Sequence, residues 1–156
     1  MRWPAEHLRT RNWRRRSHGC SATNYAASAR CFRPTSRCGS TRPTCRHLPD
    51  VTVVCGPRES APIDKNAVSN PTLLIEVTSN STEDYDREEK LNHYKQCPSV
   101  RAVVFVSHRR AHVTVVERLE DGWSQREFRS GETLEFSNPE ASISVDDLYE
   151  GIALDE

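Results

Sequence analysis

The first 49 residues contain no Val, no Ile, no Lys and no Gln, whereas thirteen Val follow position 50. A stretch so poor in large aliphatics cannot bury enough apolar surface to offset its ordering entropy. We therefore expect residues 1–47 to form a basic, low-aliphatic segment without a packed core. The chain also lacks any apolar run near the roughly 18–20 residues that span a bilayer. No apolar h-region follows the basic N-terminus, so no secretory leader is expected. The cysteines Cys20, Cys31, Cys38 and Cys45 form neither C-x-x-C nor C-x-x-H, which weighs against a zinc site. No Gly-rich loop is present to cradle a phosphate, and Ser79-x-Ser81 has no G-x-S-x-G context for a nucleophile.

Charge is absent only on average. Lys plus Arg and Asp plus Glu both total 22. Residues 1–49 hold eleven Arg against the single acid Glu6, a net of +10, and residues 50–156 carry the balancing −10. The basic segment reads as a nucleic-acid-binding arm or as a frameshift product, since Arg, Cys, Ser, Thr and Pro without Lys is what a GC-rich gene gives out of frame. Permitted codons for residues 34–45 allow an L-x-V-x-V string in the adjacent frame, the alternation of a half-buried strand.

From Leu48 onward the pattern is that of a folded domain. Residues 49–55 are rich in β-branched side chains and stop at Gly56-Pro57, so they read as a strand. Residues 56–70 read as a polar loop. Residues 71–78 form a second strand whose near-continuous apolar run suits a central position, with Glu76 out of place inside it. A helix is expected over about 82–96, capped by residues 79–82 and stopped at Cys97-Pro98. Residues 101–107 and 112–119 read as two further strands, 123–128 and 133–136 as outer strands, and 144–149 as a short terminal helix. This order predicts a mixed α/β sheet with a helix packed across it.

Asp50 opens one strand and Glu76 lies within the next; if the two strands are neighbours, both carboxylates converge. Such a pair with open positions suits Mg²⁺, an oxygen-seeking ion that keeps several waters. The alternative is separate structural roles, Asp50 as a turn residue and Glu76 in an ion pair. On the helix, Asp86, Lys90 and Tyr94 stand at i, i+4 and i+8 on one face. That spacing equally suits a plain surface ion pair between Asp86 and Lys90.

The string Leu48-Pro49-Asp50-Val51, then residues 74–82 (L-I-E-V-T-S-N-S-T), then Asp86, Lys90 and Tyr94, then a Val-rich strand, resembles the Uma-type restriction endonuclease family of the PD-(D/E)xK nuclease superfamily. The closing residues 148–152 (L-Y-E-G-I) are similar to the family's C-terminal end. The resemblance covers about residues 48–152 and leaves 153–156 as a tail. It implies a restriction-endonuclease-like fold, N-terminally truncated here, and a Mg²⁺-dependent endonuclease acting on DNA phosphodiesters in a bacterial cytoplasm. Asp50 and Glu76 would hold the metal. The superfamily pattern puts a Lys two residues after the second acid, where this chain has Thr78; Lys90 is then the migrated catalytic Lys. A homodimer is left open. The competing readings are a catalytically inactive remnant of a nuclease fold and a binding module with a basic arm.

Overall fold

The computed structural model describes residues 20–21, 49–61, 64–78, 83–137, 140–152 and 154. The expectation of an unpacked segment over residues 1–47 therefore lies outside the described residues, except at Cys20–Ser21 (β1). That two-residue strand pairs antiparallel with Val51–Cys55 (β2), Cys20 opposite Cys55.

Three β-branched-rich runs make the centre of the sheet. Val51–Cys55 (β2) pairs antiparallel with Leu73–Val77 (β5), which pairs parallel with Ala102–Val106 (β6). Between β2 and β5 lie Ser60–Ala61 (β3) and Asp64–Val68 (β4). The helix Glu83–Lys95 (α1) crosses from β5 to β6. A parallel pair needs such a crossover, and an apolar strand on either side needs a cover. His112–Leu119 (β7) and Gly122–Arg129 (β8) extend the sheet antiparallel, so the strand order is β1-β2-β5-β6-β7-β8. The last elements are Thr133–Ser137 (β9), Glu140–Ser144 (β10) and Val145–Tyr149 (α2).

Side chains alternate faces along a strand, and the alternation separates two cores. Val51, Val53, Leu73, Ile75, Val104, Val106, Val113 and Val115 point to one face. There the β9–β10 hairpin and α2 cover them with Leu134, Phe136, Ile143, Val145 and Leu148. Leu74, Val103, Phe105 and Val116 point to the other, under Leu91, Tyr94 and Cys97. Glu76 follows Leu74 at the strand period and thus faces α1.

The mixed sheet with a flanking helix is the expected one, and β5 is central. Two elements differ. The loop expected over 56–70 contains the β3–β4 hairpin, a small sheet of its own. Its neck is closed by Asn70, whose amide accepts from Glu59 N at 2.9 Å and donates to Pro57 O at 2.9 Å. A long-range side-chain clasp of this kind leaves no periodic trace. The strand β10 was also unexpected, although Ala141 and Ile143 are buried and Ser142 between them is exposed. It pairs with β9 apart from the main sheet, so residues 133–136 are core-forming rather than an outer strand of that sheet. The proposed capping residues 79–82 lie outside the described residues. No helix among the described residues is long and apolar enough to cross a membrane.

Candidate active site

Strand register brings the two acids together. Val51 pairs with Ile75 and Thr52 with Leu74; continuing the register one step sets Asp50 opposite Glu76. The Asp50 carboxylate turns back onto the chain, where its Oδ2 accepts from Val77 N at 2.8 Å. Asp50 itself is exposed, whereas Glu76 is only 4% exposed.

The helix supplies the partners of Glu76. Along α1, Arg87, Lys90, Leu91 and Tyr94 are at least partly buried while Glu88, Glu89 and Asn92 are exposed, which is the i, i+3, i+4, i+7 stripe of an amphipathic helix. On that stripe Lys90 Nζ sits 3.1 Å from Glu76 Oε2, and the buried Tyr94 hydroxyl donates to Glu76 Oε1. Lys90 therefore points into the site; the side chain of Asp86, its proposed surface partner, lies outside the described residues. Thr78, at the position where the superfamily pattern has its Lys, donates its backbone N–H to Val106 O at 2.9 Å and brings no charge.

Burial raises the Glu76 pKa above its ordinary value; the Tyr94 hydrogen bond and the Lys90 charge oppose the rise, and the nearby Asp50 charge adds to it. A carboxylate out of water is costly unless paired. The pair of donors on its two oxygens is what makes the ionised form tenable inside an apolar strand.

The donor set fits a hard divalent cation. A carboxylate offers about four acceptor positions, and each Glu76 oxygen is engaged by one identified donor. Asp50 is exposed, with one oxygen on the backbone. Among the described residues no group of three or more His, Cys, Asp or Glu could hold a metal. Two oxygen ligands and open water positions suit Mg²⁺, which is typically held by one or two carboxylates together with substrate phosphate. His112 stands apart from this chemistry, pairing with Glu127 at 3.3 Å on the β7–β8 ribbon.

Sequence reading named Asp50, Glu76 and Lys90; Lys90 contacts Glu76, and the strand register sets Asp50 opposite Glu76. That reading gave Tyr94 no role, although Tyr94 stands one turn beyond Lys90 on the same face. It also passed over Arg87, whose guanidinium lies 4.7 Å from the centre of the Phe105 ring; nothing in the i, i+4 pattern singled it out.

Comparison with known proteins bears on the same region. The family model "Uma2: Putative restriction endonuclease" matches residues 9–151. The match takes in residues 9–47, ahead of the 48–152 over which the motifs were read; those motifs begin only at the first β-branched strand. A curated uncharacterized protein of Synechocystis sp. is 32% identical over 106 residues, 67% of this chain and 55% of its own length. The chain thus spans about half the length of that relative. The crystal structure of a "putative nuclease belonging to DUF820" from Anabaena variabilis superposes with a TM-score of 0.54 at 15% identity, covering 69% of this chain and 62% of that one. That likeness shows a shared fold.

Proposed function

The chain belongs to the Uma2 family of restriction-endonuclease type, and on that premise we propose that it is a Mg²⁺-dependent endonuclease hydrolysing DNA phosphodiesters in the bacterial cytoplasm. One observation carries the reading: Lys90 on α1 lies 3.1 Å from the buried Glu76, and Asp50, just ahead of β2, stands opposite Glu76 in the continued strand register. In open α/β sheets ligands bind beyond the carboxyl ends of the strands, and Glu76 lies at that end of the parallel β5–β6 pair.

Asp50 and Glu76 would hold the metal, which when bound polarises the phosphodiester and acidifies a water. Tyr94 fixes the Glu76 carboxylate. Lys90 is placed to orient the attacking water and to offset charge developing on the phosphate. In the reaction a water oxygen bonds to phosphorus, one ester P–O bond breaks, and the products are a phosphomonoester and a free hydroxyl.

Nicking of supercoiled plasmid tests the proposal. Conversion to open-circular and linear forms is expected with Mg²⁺, none with EDTA, and none from Glu76→Gln or Asp50→Asn. Wild-type protein that leaves the plasmid intact with Mg²⁺, or a Glu76→Gln variant that cuts at the wild-type rate, would overturn it.

A further inference from the structure

Arg87 is a cation of this region whose N–H donors the described residues leave unused. It stands one turn before Lys90 on the same partly buried stripe of α1, and its guanidinium rests on the Phe105 ring. Phe105 pairs with Glu76 in the β5–β6 register. Arg87 thus rests on the strand next to that of Glu76, the proposed metal ligand, and neighbouring strands lie about 4.8 Å apart. Among the described residues its guanidinium makes no hydrogen bond and no ion pair. The contrast with the other stacked arginines is informative. Arg118 lies on Trp123 and donates to three backbone carbonyls; Arg126 lies near Phe128 and pairs with Glu117. In both, an aromatic face orients a guanidinium whose N–H groups are spent on the protein. At Arg87 the ring holds the guanidinium and the donors are left over.

A guanidinium carries five donors in a planar fork matched to phosphate oxygens. Its π-stacking removes conformational freedom in advance, which lowers the cost of capturing an anion. Residues 50–156 carry a net charge of −10, so a nucleic acid needs locally concentrated cations to approach the two carboxylates at all.

We propose that Arg87 is a phosphate-binding residue of this site, gripping a non-bridging oxygen of the nucleic-acid backbone beside the phosphodiester that faces Asp50, Glu76 and Lys90. The assignment rests on the phosphodiesterase reading above and adds a contact to it. Arg87 binds and aligns; Lys90 and the carboxylates face the reacting atoms. Because the contact is to backbone, it carries affinity without base preference.

Binding of the full chain to a short fluorescein-labelled DNA duplex, followed by anisotropy in EDTA as NaCl rises, isolates this contact from cleavage. Each neutralised phosphate contributes about 0.9 to the slope of log K against log salt. Arg87→Gln is expected to lower that slope by about 0.9 and to weaken binding several-fold at low salt, equally for unrelated sequences. Arg126→Gln, on the opposite face of the sheet, is expected to leave the slope unchanged. Arg87→Lys keeps the charge and loses the fork, so the slope should persist while affinity falls; this variant carries the test if the Gln variant does not fold. A wild type that binds DNA while Arg87→Gln retains its slope, or Arg87→Lys its affinity, overturns the role of Arg87 and leaves the nuclease reading standing. A wild type with no salt-dependent binding to DNA also overturns the role of Arg87, while plasmid nicking with Mg²⁺ decides the nuclease reading.

Discussion

Among the described residues, Glu76 is the one charged side chain that is buried. Its cost is desolvation, and its compensation comes from Lys90 and Tyr94. Replacement by Gln keeps the shape and the acceptor for Tyr94 while deleting the buried charge, so Glu76→Gln is expected to leave the fold intact and equal or exceed wild-type stability in urea. Lys90→Met does the reverse and strands the charge. The Lys90 side chain is 31% exposed, so the loss should fall between the roughly 0–1 kcal/mol of surface pairs and the roughly 3–5 kcal/mol of buried ones. We expect about 2 kcal/mol, largely recovered in the double variant with Glu76→Gln. The raised pKa gives the sign of the pH effect. The folded state holds the Glu76 proton more tightly than the unfolded one, so the stability from this group is full below its ordinary 4.5 and is lost as pH climbs through the raised value. Unfolding at acidic and at neutral pH should therefore show wild type losing ground to Glu76→Gln as pH rises.

Two side chains decide how the elements are seated. Arg118 on β7 donates to Lys95 O at 2.8 Å, Cys97 O at 3.0 Å and Val100 O at 3.0 Å, which ties the C-terminal end of α1 to the sheet. Carbonyls at a helix end have no partner within the helix. Arg118→Met should cost about 2–3 kcal/mol in urea unfolding and slow cleavage without touching the site, since α1 carries Lys90 and Tyr94. On α2, the Tyr149 hydroxyl donates toward Ser107 O at 2.7 Å and His112 O at 2.9 Å. Burial pushes its pKa up to about 12. Its contribution is full below the ordinary 10 and fades as pH rises toward about 12; Tyr149→Phe should delete that last step from a spectrophotometric tyrosine titration. Neither clasp was legible in the sequence. The strand of Arg118 showed only its alternation, and Tyr149 only the end of a short helix. The elements themselves were legible wherever one periodicity ran on, as through His112–Leu119, and Glu76 stood out because it interrupts an apolar run. The exact seat of Lys90 was not, because strand order, register and helix placement together bring it to Glu76.

Across the whole molecule, both faces of the sheet carry an apolar core, and the proposed site lies on the α1 face alone. The face under β9, β10 and α2 is closed by large apolar side chains, while the face under α1 gives its end nearest the carboxyl termini of β5 and β6 to Glu76, Lys90 and Arg87. Changes on the two faces should therefore fail differently. Phe136 is 3% exposed and comes from a hairpin whose strands pair apart from the main sheet, so its ring reaches that sheet through side-chain packing, beside the hydrogen bonds from Arg126 to Glu135 O and from Ser137 N to Glu117. Phe136→Ala should lose about 3–5 kcal/mol through the removed ring and the cavity left behind. That is a large share of the roughly 5–15 kcal/mol that keeps a domain folded. Urea titration by circular dichroism should show its midpoint falling well below wild type. Any cleavage it retains should track the folded fraction, with Mg²⁺ affinity per folded molecule unchanged. Asp50→Asn, on the other face, should invert the pattern: a midpoint close to wild type and weakened Mg²⁺ binding by calorimetry. If Phe136→Ala instead lowered Mg²⁺ affinity in the fully folded protein, the two faces would be coupled through the sheet.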